Sequence, residues 1–204
     1  MVELTLFGNR ESGHSYKVSL MLALSGLAHD YHEIDLELAR DARPEPFRSL
    51  ARYGEVPLLV HGGKPYVQSN AILLHLAAHT GAFGGESDDG LERAREWLFW
   101  EANRIGFSLA NLRYCLKFTS TGAATDGAQF LRQRFEADAL RLDTELADGR
   151  GFILGDKPSV ADISLCGYLY FADQAQVTLP AGVQAWLERI SALPGWRHPY
   201  TING

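Results

Sequence analysis

The sequence predicts an α/β domain followed by an all-α domain. Three observations carry that reading. Strand-like and helix-like apolar runs alternate up to His79, a glycine- and acid-rich stretch interrupts the chain at Gly81–Gly90, and only helical periodicity follows it. The corresponding divisions are 1–80 for the first domain, 81–90 for the connector and 91–204 for the helical domain.

Val2–Phe7 alternates apolar and polar positions, as a short strand does. Asn9–His14 is polar and holds Gly13, so it is a loop, and from Ser15 the residues Val18, Met21 and Leu22 fall at helical spacing until Gly26 supplies a stop. Tyr31–Leu36 is a second strand, and Pro44 and Pro46 open a short helix through Leu50. Val56–Val60 and Pro65–Val67 flank the turn His61-Gly62-Gly63-Lys64 and form a hairpin. Ser69 then caps a helix that buries Ile72, Leu73, Leu76 and Ala77, giving the order βαβαββα. Beyond the connector, Leu98, Ala102, Ile105, Leu109, Leu112 and Leu116 form one stripe, while Leu131, Phe135, Leu142 and Leu146 form another, with Thr119–Gly127 between them. Ser159 and Asp162, three apart at a helix start, make a structural capping box worth about 1 kcal/mol. A last helix covers Val183–Leu193, ended by Pro194-Gly195.

Composition narrows the function. The 204 residues carry 19 Lys+Arg against 25 Asp+Glu, a net charge of −6, with 46% apolar positions. That is the composition of a globular protein whose charge disfavours nucleic acid as a partner. The most apolar stretch, Val18–Ala28, falls short of the roughly 18 residues a membrane span needs, and no leader-like pattern follows Met1, so a cytoplasmic protein without membrane contact is expected. Cys115 and Cys166 form no Cys-x-x-Cys unit and are expected to be reduced. Phosphate-binding glycine loops and a nucleophile elbow are missing from the sequence. His75 and His79 lie one helical turn apart, but Leu76 stands where a zinc protease places Glu and no third ligand is suggested, so no metal is expected.

What remains is a strand, a polar loop with Ser12, His14 and Ser15, and a helix start whose N–H groups and dipole favour an anion. The loop has no cysteine, so an anionic sulfur held there must arrive with a small molecule.

At this point the residues resemble the glutathione transferase family over essentially the whole chain. Ser12-Gly13-His14-Ser15-Tyr16-Lys17-Val18 is similar to its serine-type catalytic loop, and Gly54-Glu55-Val56-Pro57 to the segment leading to its cis-proline. Gln68-Ser69-Asn70-Ala71-Ile72 is similar to its γ-glutamyl-binding turn, and Gly155–Asp162 to its capping box. The resemblance implies a thioredoxin-like first domain, glutathione as co-substrate, a hydrophobic electrophile as second substrate, and a homodimer. Ser12, with Ser15 as a nearby substitute, would donate to the glutathione sulfur, although a serine here also serves as an ordinary cap. Val56, before Pro57, would pair its backbone with the cysteinyl unit, and Gln68 and Ser69 would take the γ-glutamyl group. Arg43 lies where relatives often carry a cation for the glycyl carboxylate, and His14 would be a wall residue rather than a base. The second substrate would rest against the long helix after the connector, on Asn103, Phe107, Asn111 and Tyr114; the same spacing also fits a core Phe107 and solvent-facing or dimer-facing neighbours. Two departures stand out: Ala51-Arg52-Tyr53-Gly54 replaces the usual Asn-Pro-x-Gly, and Gln68 replaces the commoner acid before Ser69. The family also includes glutathione-dependent disulfide or peroxide reductases, and a non-catalytic interaction module keeps the same fold.

Overall fold

The computed structural model describes residues 3–120 and 125–203, so Val2 of the first strand and part of the Thr119–Gly127 interruption lie outside the described residues. The first domain contains β1 (Leu4–Gly8), α1 (Gly13–Leu24), β2 (Asp30–Glu33), α2 (Phe47–Leu50), β3 (Leu58–His61), β4 (Lys64–Val67) and α3 (Ser69–Thr80), the βαβαββα order the periodicity predicts. The sheet runs β2-β1-β3-β4, with β1 parallel to β2 and antiparallel to β3. Period-two alternation sorts its side chains. Leu4, Leu6 and Leu59 face α1 and α3 in the main core, while Phe7 and Leu58 face the opposite side, where Ile34 and Phe47 complete a smaller cluster.

Strand β2 stops at Glu33 rather than Leu36. Glu33 pairs with Gly8, the last residue of β1, so the ladder runs out of partner and Leu36 is left exposed. The first helix begins two residues earlier than its apolar pattern, because Ser12 caps it and polar residues occupy its first turn. Most of its side chains are buried, which fits a helix sandwiched between α3 and the later α7.

The second domain is helical: α4 (Asp88–Asn103), α5 (Ile105–Phe118), α6 (Asp126–Glu145), α7 (Val160–Leu169) and α8 (Ala181–Ser191). Helix α4 starts inside the predicted connector, with the Ser87 hydroxyl accepting from the Gly90 N–H at 3.1 Å. The predicted stripe from Leu98 to Leu116 is broken at Arg104, whose φ of −117° and ψ of −99° separate α4 from α5, and Ala102 faces solvent. Gly106 follows the break. A Cβ there would lie 2.3 Å from Oε1 of Glu101, so the position stays side-chain-free beside a buried carboxylate. Helix α7 is buried at every position, and the Ser159–Asp162 capping box at its start is present. Among the described residues, no helix is long and apolar enough to cross a membrane.

Candidate active site

Two helix starts meet at a cleft between the domains. The second residue of α1, His14, places Nδ1 3.5 Å from the hydroxyl of Ser69, the first residue of α3. Around this contact lies a cavity of about 470 Å³, lined by His14 and Lys17 from α1, Val56 and Pro57 before β3, and Gln68, Ser69 and Asn70 at α3. The first turns of two helices therefore border one space, and their dipoles favour anionic groups there. The Val56–Pro57 bond is cis.

Gln68 has φ of 69° and ψ of 111°, a conformation that a non-glycine residue rarely adopts and that costs about 1–3 kcal/mol. The helix begins at Ser69, so Ser69 is its first residue rather than its cap, and its N–H is free to face the cleft.

Ser12 is the N-cap of α1. Its Oγ accepts from the Ser15 N–H at 3.1 Å, which leaves the hydroxyl proton to donate elsewhere. It is not among the residues lining the cavity; it lies two residues from His14, which is. The Tyr168 ring packs on Gly13, where a Cβ would come within 2.7 Å of it, and its phenol lies beside the Ser12 hydroxyl. Burial pushes that phenol up, so it stays protonated. Ser15 is buried, and its own hydroxyl accepts from the Asn9 N–H at 3.1 Å, turned back into the loop. Burial, aided by the Lys17 cation, pushes His14 down to about 4, so the ring is neutral near pH 7.

The sequence did not single out the charged group beneath the cleft. Lys17 and Glu101 are both fully buried and pair at 2.8 Å; Lys17 Nζ also donates to Asn70 Oδ1 at 2.9 Å and Ser164 Oγ at 3.3 Å. Burial acts to raise the Glu101 carboxyl, but the Lys17 cation, with His14 and Asn70, outweighs it and holds the group below its usual range. The available signal was a lysine directly ahead of the most apolar stretch of the chain, Val18–Ala28, within the same helix, where a buried charge calls for an anion facing it.

Other expected residues lie elsewhere. Arg43 spends its guanidinium on the backbone, donating to the carbonyls of Gly54 and Leu36, and does not line the cleft. Asn103 ends α4, while Phe107, Asn111 and Tyr114 form an exposed row on α5, with Phe107 46% and Tyr114 58% exposed, and none lines this cavity. Leu98 and Phe99 of α4 and Leu74 of α3 supply its apolar wall instead. His61 joins His75 and His79, with His61 Nδ1 2.8 Å from His75 Nε2, yet among the described residues no group of three or more His, Cys, Asp or Glu has the arrangement to hold a metal ion. Cys115 and Cys166 are unpaired with each other, and burial raises the Cys166 thiol well above its usual range, so it is inert.

Comparison with known proteins agrees with this geometry. Residues 2–78 match a family model described as the N-terminal domain of glutathione S-transferase, and residues 109–200 match one for its C-terminal domain. The chain is 28% identical to a maleylacetoacetate isomerase of Pseudomonas aeruginosa, covering 98% of this chain and 97% of that protein. It is 27% identical to the disulfide-bond oxidoreductase YfcG of Escherichia coli, with 95% and 92% covered. A solved structure of a possible glutathione S-transferase from Rhodopseudomonas palustris superposes with a TM-score of 0.85 at 28% identity, covering 98% of each chain. A thioredoxin-like domain carrying the cleft, a helical domain closing it, and matches to both halves place this chain in the glutathione S-transferase superfamily.

Proposed function

We propose that the protein is a glutathione transferase that activates the glutathione thiol for attack on a hydrophobic electrophile. The observation that carries this is the meeting of the α1 and α3 starts at the His14–Ser69 contact, on a cleft edged by Val56 and Pro57. Glutathione fits it unit by unit. The γ-glutamyl carboxylate takes the Ser69 N–H and hydroxyl with Gln68 beside it, and the cysteinyl backbone adds to the Val56 edge like a strand. Its sulfur is then directed toward α1, where the Ser12 hydroxyl donates to it. Lowering the thiol by about 2 pKa units needs roughly 2.7 kcal/mol, within reach of one hydrogen bond to a charged acceptor and a helix dipole. The thiolate attacks the electrophilic carbon, a carbon–sulfur bond forms, and the leaving group departs with the bonding electrons. Neutral His14 walls the site and carries no proton in the step. The protein is proposed to work in the cytoplasm as a homodimer, with Phe99, 76% exposed at the cleft rim, buried by the partner; sedimentation equilibrium showing only monomer contradicts that assembly.

Calorimetry with glutathione and a conjugation assay with an aryl halide test the reading. Ser12→Ala is expected to keep glutathione affinity within about threefold and to lose about 10- to 100-fold in turnover at neutral pH, as a thiol pKa rise of one to two units dictates. Unchanged turnover removes Ser12 from the reaction, and no detectable glutathione binding to the folded wild type removes the function.

Similarity to the Escherichia coli disulfide-bond oxidoreductase favours a second reading, glutathione-dependent disulfide or peroxide reduction. The same thiolate would attack a disulfide sulfur, and a second glutathione would release the product. Turnover of a glutathione mixed disulfide without conjugation of the aryl halide selects that reaction, and binding without either turnover selects a non-catalytic module.

A further inference from the structure

The residue immediately before Ser12 is gripped from the helical domain. Arg113 on α5 is 2% exposed, and its guanidinium donates through Nη1 to the backbone carbonyl of Glu11 at 2.6 Å, 102 positions away in the chain. Its Nη2 donates to the Glu11 carboxylate, and its Nε donates to Gln174 Oε1 at 2.9 Å. The Phe171 ring covers the guanidinium, 4.3 Å from its central carbon. Lys117, one turn along α5, donates to the same carboxylate at 2.7 Å, and the Tyr200 hydroxyl donates to it at 2.9 Å. Burial acts to raise the Glu11 carboxyl, but the bonds from Lys117, Tyr200 and Arg113 outweigh it and hold the group below its usual range.

This anchoring sits on the part of the site that most needs it. Ser12 stands in a loop, and its backbone bonds are local: its N–H donates to the Asn9 carbonyl at 2.9 Å and its carbonyl accepts from Tyr16 at the same distance, while its hydroxyl lies beside the Tyr168 phenol. The loop is also tied to β2, through Asn9 Nδ2 on the Ile34 carbonyl at 2.9 Å and the Arg10 N–H on Glu33 at 3.0 Å, and lies under Tyr168 at Gly13; Arg113 adds the hold on Glu11 from α5, and a hydroxyl displaced by half an ångström from a sulfur loses much of a hydrogen bond. Arginine's planar fork sends two separate nitrogens to a backbone carbonyl and a carboxylate in fixed geometry, where a lysine offers one nitrogen on a flexible stem.

We propose that Arg113 is a positioning residue for Ser12: by clamping Glu11 to α5, it fixes the loop so that the Ser12 hydroxyl stays on the glutathione sulfur. This rests on the transferase reading above and extends it by making the helical domain responsible for the reactivity of a hydroxyl in the other domain. The clamp touches none of the cleft-lining residues, so it acts on thiol activation and not on glutathione affinity.

The test uses the full chain with Arg113→Lys, which keeps a cation facing Glu11, and Arg113→Met as the stronger variant. For Arg113→Lys, the apparent pKa of the bound thiol, read from the pH dependence of thiolate absorbance, is expected to rise by about one unit, with turnover at neutral pH falling about tenfold and glutathione affinity within about twofold. Combining Arg113→Lys with Ser12→Ala is expected to cost no more than Ser12→Ala alone, because the arginine acts through that hydroxyl. A pH profile unmoved in Arg113→Lys, or losses that add in the double variant, overturns the proposal. Amide exchange at residues 9–16, measured without glutathione, is expected to quicken several-fold in Arg113→Lys. Unchanged exchange with normal transferase activity overturns the clamp alone. Quickened exchange in a protein that binds no glutathione overturns the transferase reading, and with it the catalytic purpose of the clamp, while leaving the mechanical hold established. If Arg113→Met does not fold, Arg113→Lys still decides each of these outcomes.

Discussion

Lys17 and Glu101 set the energetic stakes at the residue scale. Each charge is fully buried, and each is tolerable because the other is 2.8 Å away and Asn70 and Ser164 fill the remaining valences. Such a pair adds little net stability over apolar residues of the same shape, yet removing one member strands the other. Lys17→Met is therefore expected to cost about 3–5 kcal/mol in urea unfolding, and Lys17→Met with Glu101→Gln to recover part of that loss. A loss below about 1 kcal/mol in the single variant contradicts this account, since it means that the carboxylate takes a proton or finds water at little cost. The network ends at Asn70, one residue past Ser69, so the same charges that hold the domains together also hold the start of α3.

At the scale of elements, the helix starts carry the argument. The Asp162 carboxylate accepts from the N–H and hydroxyl of Ser159, each at 2.8 Å, from the Ile153 N–H at 2.8 Å and from Trp186 Nε1 at 2.9 Å. One side chain thus ends a loop, starts α7 and ties it to α8. Burial pushes the carboxyl up, and these donors act against it. Asp162→Ala leaves several buried donors without partners and is expected to lower the unfolding free energy by about 3 kcal/mol or more, read as a shift in the urea midpoint at constant slope. Because α7 packs on both α1 and α4, the same variant is expected to loosen the Ser12 loop through the Tyr168–Gly13 contact.

Across the whole molecule, three histidines bind protons less readily in the fold than in the unfolded chain. Burial, with the Lys17 cation, depresses His14 from 6.5 to about 4, and burial, with neighbouring histidines, depresses His61 and His75. Between their ordinary value and the depressed ones the unfolded chain holds more protons, so stability rises with pH through that window. It is fully present above about pH 6.5 and is lost as the pH falls toward 4. Asp162, with its carboxyl pushed up, works in the opposite direction at the acid end, so the diagnostic quantity is a difference. His14→Gln is expected to flatten the fall in Tm between pH 7 and pH 5, and an unchanged slope contradicts the neutral ring.

The sequence by itself determined the alternation of elements and the two-domain division, and it singled out His14, Val56, Pro57, Gln68 and Ser69 among the residues that line the cleft. Those features rest on local rules: period-two strands such as Leu4–Phe7, glycine-rich breaks, and polar residues such as Ser12 and Ser69 at helix starts. Even so, local rules misjudged single positions. The stripe from Leu98 to Leu116 read as unbroken because a change of backbone direction at Arg104 leaves no mark in apolar spacing. The expectation for Arg43 came from resemblance, which places a residue along the chain and not the direction of its guanidinium, here turned to the carbonyls of Gly54 and Leu36. Tertiary structure alone decided which charges meet. Lys17 finds Glu101 from 84 positions away and Arg113 finds Glu11 from 102, since burying a charge forces a partner without fixing where in the chain it lies.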